Sequence, residues 1–262
     1  MVHPTAVVHP KAQLGANCEI GPFCVVGEHV VLGDGCRLVS HVVIDGHTRL
    51  GKSNEVYPFT TIGLLTQDLK YKGGITYTEV GDNNVIREGV TINSATGEGE
   101  KTIVGSNNAI LCGTHIGHNC HLQNNIVTSG AGLAGHVLVE DGAILGGRCA
   151  VHQFCRVGKM SMIAGCAKVV QDVPPFMLVD GNPAQTLTVN KVALDRQRAP
   201  EATLNALRQA YKIMFREGLT VANAIARIEQ DVPQVDEVQH FVRFAKTSER
   251  GLTRYDLAKR GA

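Results

Sequence analysis

The sequence predicts a mainly β fold, a parallel β-helix of hexapeptide repeats followed by a small C-terminal α-helical domain. Three observations carry this. First, an aliphatic residue recurs at every sixth position from Val8 through Leu14, Ile20, Val26, Leu32, Leu38, Ile44, Leu50 and Val56 to Ile62. Self-similarity at a short fixed period marks a coil whose turns stack, each burying its apolar row on the next. Second, Gly follows the aliphatic at Gly15, Gly21, Gly27, Gly33, Gly51 and Gly63. The chain has 29 Gly and no Trp in 262 residues, which suits a narrow aliphatic core and tight turns where Gly takes positive φ. Third, the rhythm stops at Val173-Pro174-Pro175, and a helical period takes over after residue 190. These place a β-helical domain at residues 1–189 and a helical domain at 190–262.

The elements follow in order. Three six-residue strands make an 18-residue turn, so equivalent positions stack ~4.8 Å apart and about eight turns give a prism of roughly 40 Å. After Ile62 the phase resumes at Val80, Ile86 and Ile92, and again at Val104, Ile110, Ile116 and Leu122. It then slips by one and continues as Val127, Leu133, Val139, Leu145, Val151, Val157, Ile163 and Val169, so the coil beginning at Leu122 reads one residue short. Cys18, Cys24, Cys36, Cys120, Cys149 and Cys155 each lie four residues after a repeat aliphatic, a slot shared with Ala12, Val30, Val42, Thr48 and Thr60. The slot takes small inward side chains, and Cys fills it as a small hydrophobe rather than as a metal ligand or half of a disulfide. Residues 64–79 and 93–103 leave the pattern and read as polar loops projecting from corners of a rigid scaffold, where binding groups are commonly mounted.

Beyond the repeat, Leu204, Leu207, Tyr211 and Met214 or Phe215 mark one helix stopped by Gly218. A second begins at Thr220 with Ala224, Ile225 and Ile228 inward, and a third near Pro233 with Val238, Phe241, Val242 and Ala245 inward, ending near Gly251. Residues 190–262 carry 13 Lys and Arg against 9 Asp and Glu, leaving 12 against 15 for the prism. Arg208, Lys212 and Arg216 fall on one stripe, a solvated face or a dock for an acidic partner. The net charge of +1 argues against a nucleic-acid binder. No apolar run approaches the ~18 residues of a membrane span, and Met1-Val2-His3-Pro4 is not a secretory n-region, so a cytoplasmic protein without a transmembrane segment is expected.

Histidines concentrate at His115, His118, His121, His136 and His152. His118, Gly135 and Gln153 each lie two residues past a repeat aliphatic in successive turns, so they stack as a ladder on one corner, with His136 beside Gly135. An imidazole that takes a proton near neutrality and a fixed N–H able to hold an oxyanion make a reaction surface.

Five segments carry a closer likeness: Gln67-Asp68-Leu69-Lys70-Tyr71, Thr114-His115-Ile116-Gly117-His118, Leu133-Ala134-Gly135-His136, Ala150-Val151-His152-Gln153-Phe154 and Gln171-Asp172-Val173-Pro174-Pro175. With the order of prism then helical tail, the chain resembles the acyl-carrier-protein:UDP-N-acetylglucosamine O-acyltransferases of lipid A biosynthesis along essentially its whole length. The resemblance implies a left-handed coil, an exception to the usual right-handed crossover. It implies a homotrimer with active sites between prisms, and transfer of an (R)-3-hydroxyacyl group from acyl carrier protein to the 3-hydroxyl of UDP-N-acetylglucosamine. It implies His118 as general base and the Gly135 N–H as oxyanion donor. Asp68, Lys70, His115, His136 and Gln153 would contact the nucleotide sugar or acyl donor, Asn190 and Arg196 the nucleotide, and Gly165 would set the depth of the acyl groove. No metal or cofactor is implied, since the donor brings its own phosphopantetheine.

Four features depart from the family pattern: Asn119 where an Asp orients the base, the short coil, Asn93-Ser94-Ala95-Thr96 without an Arg-Gly pair, and Val192 and Gln197 in place of Glu and Arg. They leave an amide-forming transfer to a 3-amino sugar open. A zinc carbonic-anhydrase-like protein using His115, His118 and His136, or a non-catalytic scaffold, are the readings from other classes.

Overall fold

The computed structural model describes residues 1–254 of the 262, so the end of the helical domain expected over 190–262 lies outside the described residues. Three parallel sheets form the prism. The first has nine strands, from Val7–Val8 to Lys168–Val169, and the second has eight, from Gln13–Leu14 to Arg156–Val157. The third has ten and begins at Glu19–Ile20. Successive strands visit the sheets in rotation, which sets the register Val8↔Val26, Leu14↔Leu32 and Ile20↔Leu38. The prism therefore has a first–second edge, a second–third edge and a third–first edge.

The repeat aliphatics point inward and are almost wholly buried, Ile44, Val56, Ile62 and Ile110 completely. Each such side chain contributes ~1.5–3 kcal/mol of burial free energy. The repeat glycines answer a different need from the one expected. Of the six only Gly63 has positive φ. A Cβ on Gly21 would run into the backbone carbonyl of Val39 in the next coil, so close approach of the coils excludes a side chain there. The left-handed corner conformation falls two residues later, on Phe23, His41, Phe59, Asn119, His136 and Phe154 among others.

The small inward slot holds the six cysteines, all buried and free, whereas Cys112 and Cys166 are exposed. Burial pushes the Cys120 thiol up to about 12 and those of Cys149 and Cys155 up to about 11. The same slot holds a buried asparagine stack. Asn84 Nδ2 donates to Asn54 Oδ1 at 2.9 Å and to the Gly105 carbonyl at 3.0 Å, and Asn84 Oδ1 accepts the Asn108 N–H at 2.9 Å.

The position of the short coil is corrected. Ile110 pairs with Thr128, which pairs with Leu145, while Val127 lies on the outward row between Ala109 and Ile144. The five-residue step thus runs from Thr128 to Leu133, through a tightened corner where Gly130 takes φ +56°. A Thr in the apolar row hid this, and its hydroxyl is satisfied inside the prism by Thr114 Oγ1 at 3.0 Å. Register is restored at once, with Ile116 opposite Leu133.

After the prolines, Met177–Gly181 joins the third sheet in parallel and Ala184–Val189 closes it in antiparallel fashion. Four helices follow: α1 (Lys191–Arg196), α2 (Glu201–Arg216), α3 (Val221–Asp231) and α4 (Asp236–Lys246). The predicted inward residues of the last three are buried, except Tyr211, which is half-buried, and α4 starts past Pro233 rather than at it. On the basic stripe Arg208 and Lys212 are exposed, but Arg216 lies over the Tyr211 ring and donates to its hydroxyl and to the Leu187 carbonyl. The helices dock through Arg156, which donates to the Thr247 carbonyl and hydroxyl and lies 4.1 Å over Phe244.

Candidate active site

Both loops leave the prism at the first–second edge and are clasped together. Glu98 Oε2 accepts the Ile75 N–H at 2.9 Å, Gly99 N–H donates to the Ile75 carbonyl at 2.8 Å, and Asn93 Nδ2 donates to the Leu65 carbonyl at 2.9 Å. The next three coils of this edge carry His118, Gly135 and Gln153, stacked by the pairings Ile116↔Leu133 and Leu133↔Val151. The shortened corner lies on the third–first edge and leaves this ladder intact. His136 N–H donates to the His118 carbonyl at 2.9 Å, the two rings meet edge to face at 5.2 Å, and His136 stacks on Phe154 at 4.8 Å.

Gly135 is buried directly against the base candidate. A Cβ there would collide with the His118 ring. Its N–H reaches no acceptor among the described residues. Asp68 from the first loop brings Oδ2 to 3.9 Å from His118 Nε2, and its other oxygen accepts the Lys70 N–H at 2.9 Å, which turns the loop. Lys70 and Gln153 are exposed, while His115 is held on the first sheet by a 2.7 Å bond to Thr91 Oγ1. His121 stands exposed on the second sheet, and His152 bonds the Gln153 carbonyl and Arg250.

The proton on His118 can be located by elimination. Asn119 Oδ1 accepts the Thr96 backbone N–H at 3.1 Å, and Asn119 Nδ2 faces the Glu100 carboxylate at 2.7 Å. Both partners have a fixed role, donor and acceptor, so the amide orientation is set. The atom 3.0 Å from His118 Nδ1 is therefore an acceptor. Nδ1 carries a hydrogen, so in the neutral ring it is Nε2, beside Gly135 and Asp68, that has the lone pair. Burial, and then the neighbouring His118, hold the pKa values of His115 and His136 below the usual 6.5, which keeps these flanking rings neutral. Among the described residues no three His, Cys, Asp or Glu side chains are grouped to hold a metal ion.

Two expected site residues, Gly165 and Asn190, lie on other edges, and Arg196 is on the helix that Asn190 caps. Gly165 turns the third–first edge, where it backs onto Gly147. Asn190 caps α1, accepting the Ala193 N–H and donating to the Met160 carbonyl at 2.9 Å on the second–third edge. Arg196, Val192 and Gln197 are exposed on or just after that helix.

Two family models match the chain. The Bacterial transferase hexapeptide (six repeats) model covers residues 11–46, and the model of Udp N-acetylglucosamine O-acyltransferase, Domain 2, covers 172–253. Solved structures match nearly end to end. The UDP-N-acetylglucosamine acyltransferase LpxA of Bacteroides fragilis is 36% identical, with 97% of this chain and 100% of that one covered at a TM-score of 0.94. The chain belongs to the UDP-N-acetylglucosamine O-acyltransferase family. The Francisella novicida UDP-N-acetylglucosamine acyltransferase is 38% identical over 98% of this chain and 95% of that one, with a TM-score of 0.94. LpxA of Acinetobacter baumannii is 38% identical over 97% and 99%, with a TM-score of 0.93. Family membership makes the protein an acyltransferase and gives its prism the left-handed coil of these structures.

Sequence reasoning missed two partners of the ladder. Phe154 stands in the sequence only as the end of the 150–154 motif, and Glu100 is one of two acidic residues in the second loop. The spacing between Glu100 and Asn119 reveals nothing until the coil stacks them.

Proposed function

We propose that the chain moves an (R)-3-hydroxyacyl group from the thioester of acyl carrier protein to the 3-hydroxyl of UDP-N-acetylglucosamine, at the start of lipid A biosynthesis. The observation that carries the mechanism is His118 Nε2 held beside Gly135, whose N–H has no acceptor among the described residues. Nε2 removes the sugar hydroxyl proton as the oxygen attacks the thioester carbonyl. The Gly135 N–H steadies the oxyanion of the tetrahedral intermediate. The C–S bond then breaks, and the imidazolium returns its proton to the leaving thiolate. Asp68, Lys70, His115, His136 and Gln153 contact the sugar and the donor. No metal or diffusible cofactor takes part.

The arrangement of the remaining residues supports a homotrimer. His118 occupies the first–second edge, Gly165 the third–first edge, and Asn190 stands by the second–third edge at the start of the helix that ends in Arg196. A three-sided prism keeps its edges apart, so one substrate meets all three sets only where edges of different chains converge. No helix among the described residues is long and apolar enough to cross a membrane, and both substrates are water-soluble, which fits a cytoplasmic setting.

The test is acyl transfer by purified protein from (R)-3-hydroxyacyl carrier proteins of several lengths to UDP-N-acetylglucosamine, beside its 3-amino analogue. Transfer to the hydroxyl sugar that His118→Ala abolishes is the expected result. Transfer to the amine alone would overturn the acceptor, and full activity in His118→Ala would overturn the base.

A further inference from the structure

We propose that Glu100 is the carboxylate that balances the charge developing on His118, acting as a positioning residue through the Asn119 amide. This rests on His118 being the base. When Nε2 takes a proton the ring becomes a cation, and the group at Nδ1 decides how well that cation is tolerated. A neutral amide fixes the tautomer but offers no charge. Here the amide is not the end of the chain of bonds. Asn119 Nδ2 donates to Glu100 Oε2 at 2.7 Å, and the same oxygen accepts the Gly97 N–H at 2.8 Å. Both bonds favour the ionised carboxylate, and the Asn119 bond is the larger reason its pKa lies below the usual carboxylate value. A charged acceptor at one end polarises the amide and makes Oδ1 a stronger acceptor for the imidazolium N–H.

The other charged and titratable groups near His118 do not supply this. Asp68 approaches Nε2, the nitrogen that receives the substrate proton. His115 lies on its own strand, and His136 on the next coil with Lys70 beyond it. Among the charged groups of the described residues, only Glu100 is linked to the Nδ1 side, through Asn119. An Asp at position 119 would set two carboxylates against each other where Asn119 now donates. Asn119 and Glu100 are therefore a matched pair that has moved the charge one residue outward, onto the second loop. Glu100 is exposed, so solvent screens it and its effect is modest.

The experiment measures kcat and KM against pH for wild type, Glu100→Gln, Asn119→Asp, the double variant Asn119→Asp/Glu100→Gln, and Glu98→Gln as a control for loop seating. Removing the negative charge disfavours the imidazolium, so Glu100→Gln is expected to lower kcat about five- to twentyfold and move the acid limb of kcat to lower pH, with KM little changed. Asn119→Asp alone loses more than either change in combination. The double variant, which returns one carboxylate to Nδ1, recovers to within about threefold of wild type with its acid limb restored. Glu98→Gln leaves the limb in place. A wild-type acid limb in Glu100→Gln, together with a double variant no faster than Glu100→Gln, would overturn the proposal and leave Glu100 a loop contact. Full activity in His118→Ala, measured alongside, would instead sink the base assignment itself, whatever Glu100→Gln does.

Discussion

The behaviour of single residues follows from what each touches. Removing the His118 imidazole deletes the proposed base, and kcat is expected to fall about 10²–10⁴-fold while the melting temperature holds. Gly135→Ala puts a methyl into the His118 ring, and the displaced base and N–H together should cost at least about 10²-fold in kcat. His115 and His136 give a second prediction, in stability. Their folded pKa values lie below 6.5, so the stability tied to their neutral forms is fully present above about pH 6.5 and is lost as pH falls through the lowered values. Thermal melts between pH 7.5 and 5 should slope downward, and less steeply in His115→Gln/His136→Gln. Identical slopes would contradict the burial of these rings.

At the scale of elements the prism tolerates polar groups in its apolar rows only in partnered sets. Thr128 shares its hydroxyl with Thr114, so Thr128→Val strands a buried hydroxyl and should cost about 1–3 kcal/mol in urea unfolding. Thr114→Val/Thr128→Val removes both partners and should recover most of that loss. The asparagine stack is stricter, because Asn84 bonds the Asn54 side chain of the coil before and the Gly105 carbonyl and Asn108 N–H of the coil after. Two lessons about legibility belong here. The six-residue period was readable because nearly every strand buries an aliphatic residue at the same position. The site of the shortened coil was not, because Thr128 broke the apolar pattern and Val127, facing outward, took its place in the count. The repeat glycines were likewise legible as turn markers, yet their cause is the closeness of the next coil, which no single turn contains.

For the whole molecule the proposed trimer makes the sharpest prediction, because His118 and Gly165 stand on different edges of one prism. Static light scattering should give three times the 28.0 kDa chain. A stricter check co-expresses His118→Ala and Arg196→Ala, each expected to be inactive by itself. If His118 and Arg196 serve one site from different chains, mixed assemblies regain activity that neither parent has. No recovery would place both residues in one chain and remove the reason for the trimer.

The sequence by itself determined the coil, its inward rows, the cysteine slot, the helical tail and the stack of His118, Gly135 and Gln153. All of these follow from a fixed period, and a period converts distance along the chain into position in space. Only the tertiary structure decided which atom faces His118 Nδ1 and what stands behind it. Thr96, Glu100 and Asn119 meet across two coils and a loop without any repeat, so their bonds depend on where an irregular segment folds back, and sequence spacing holds no record of that.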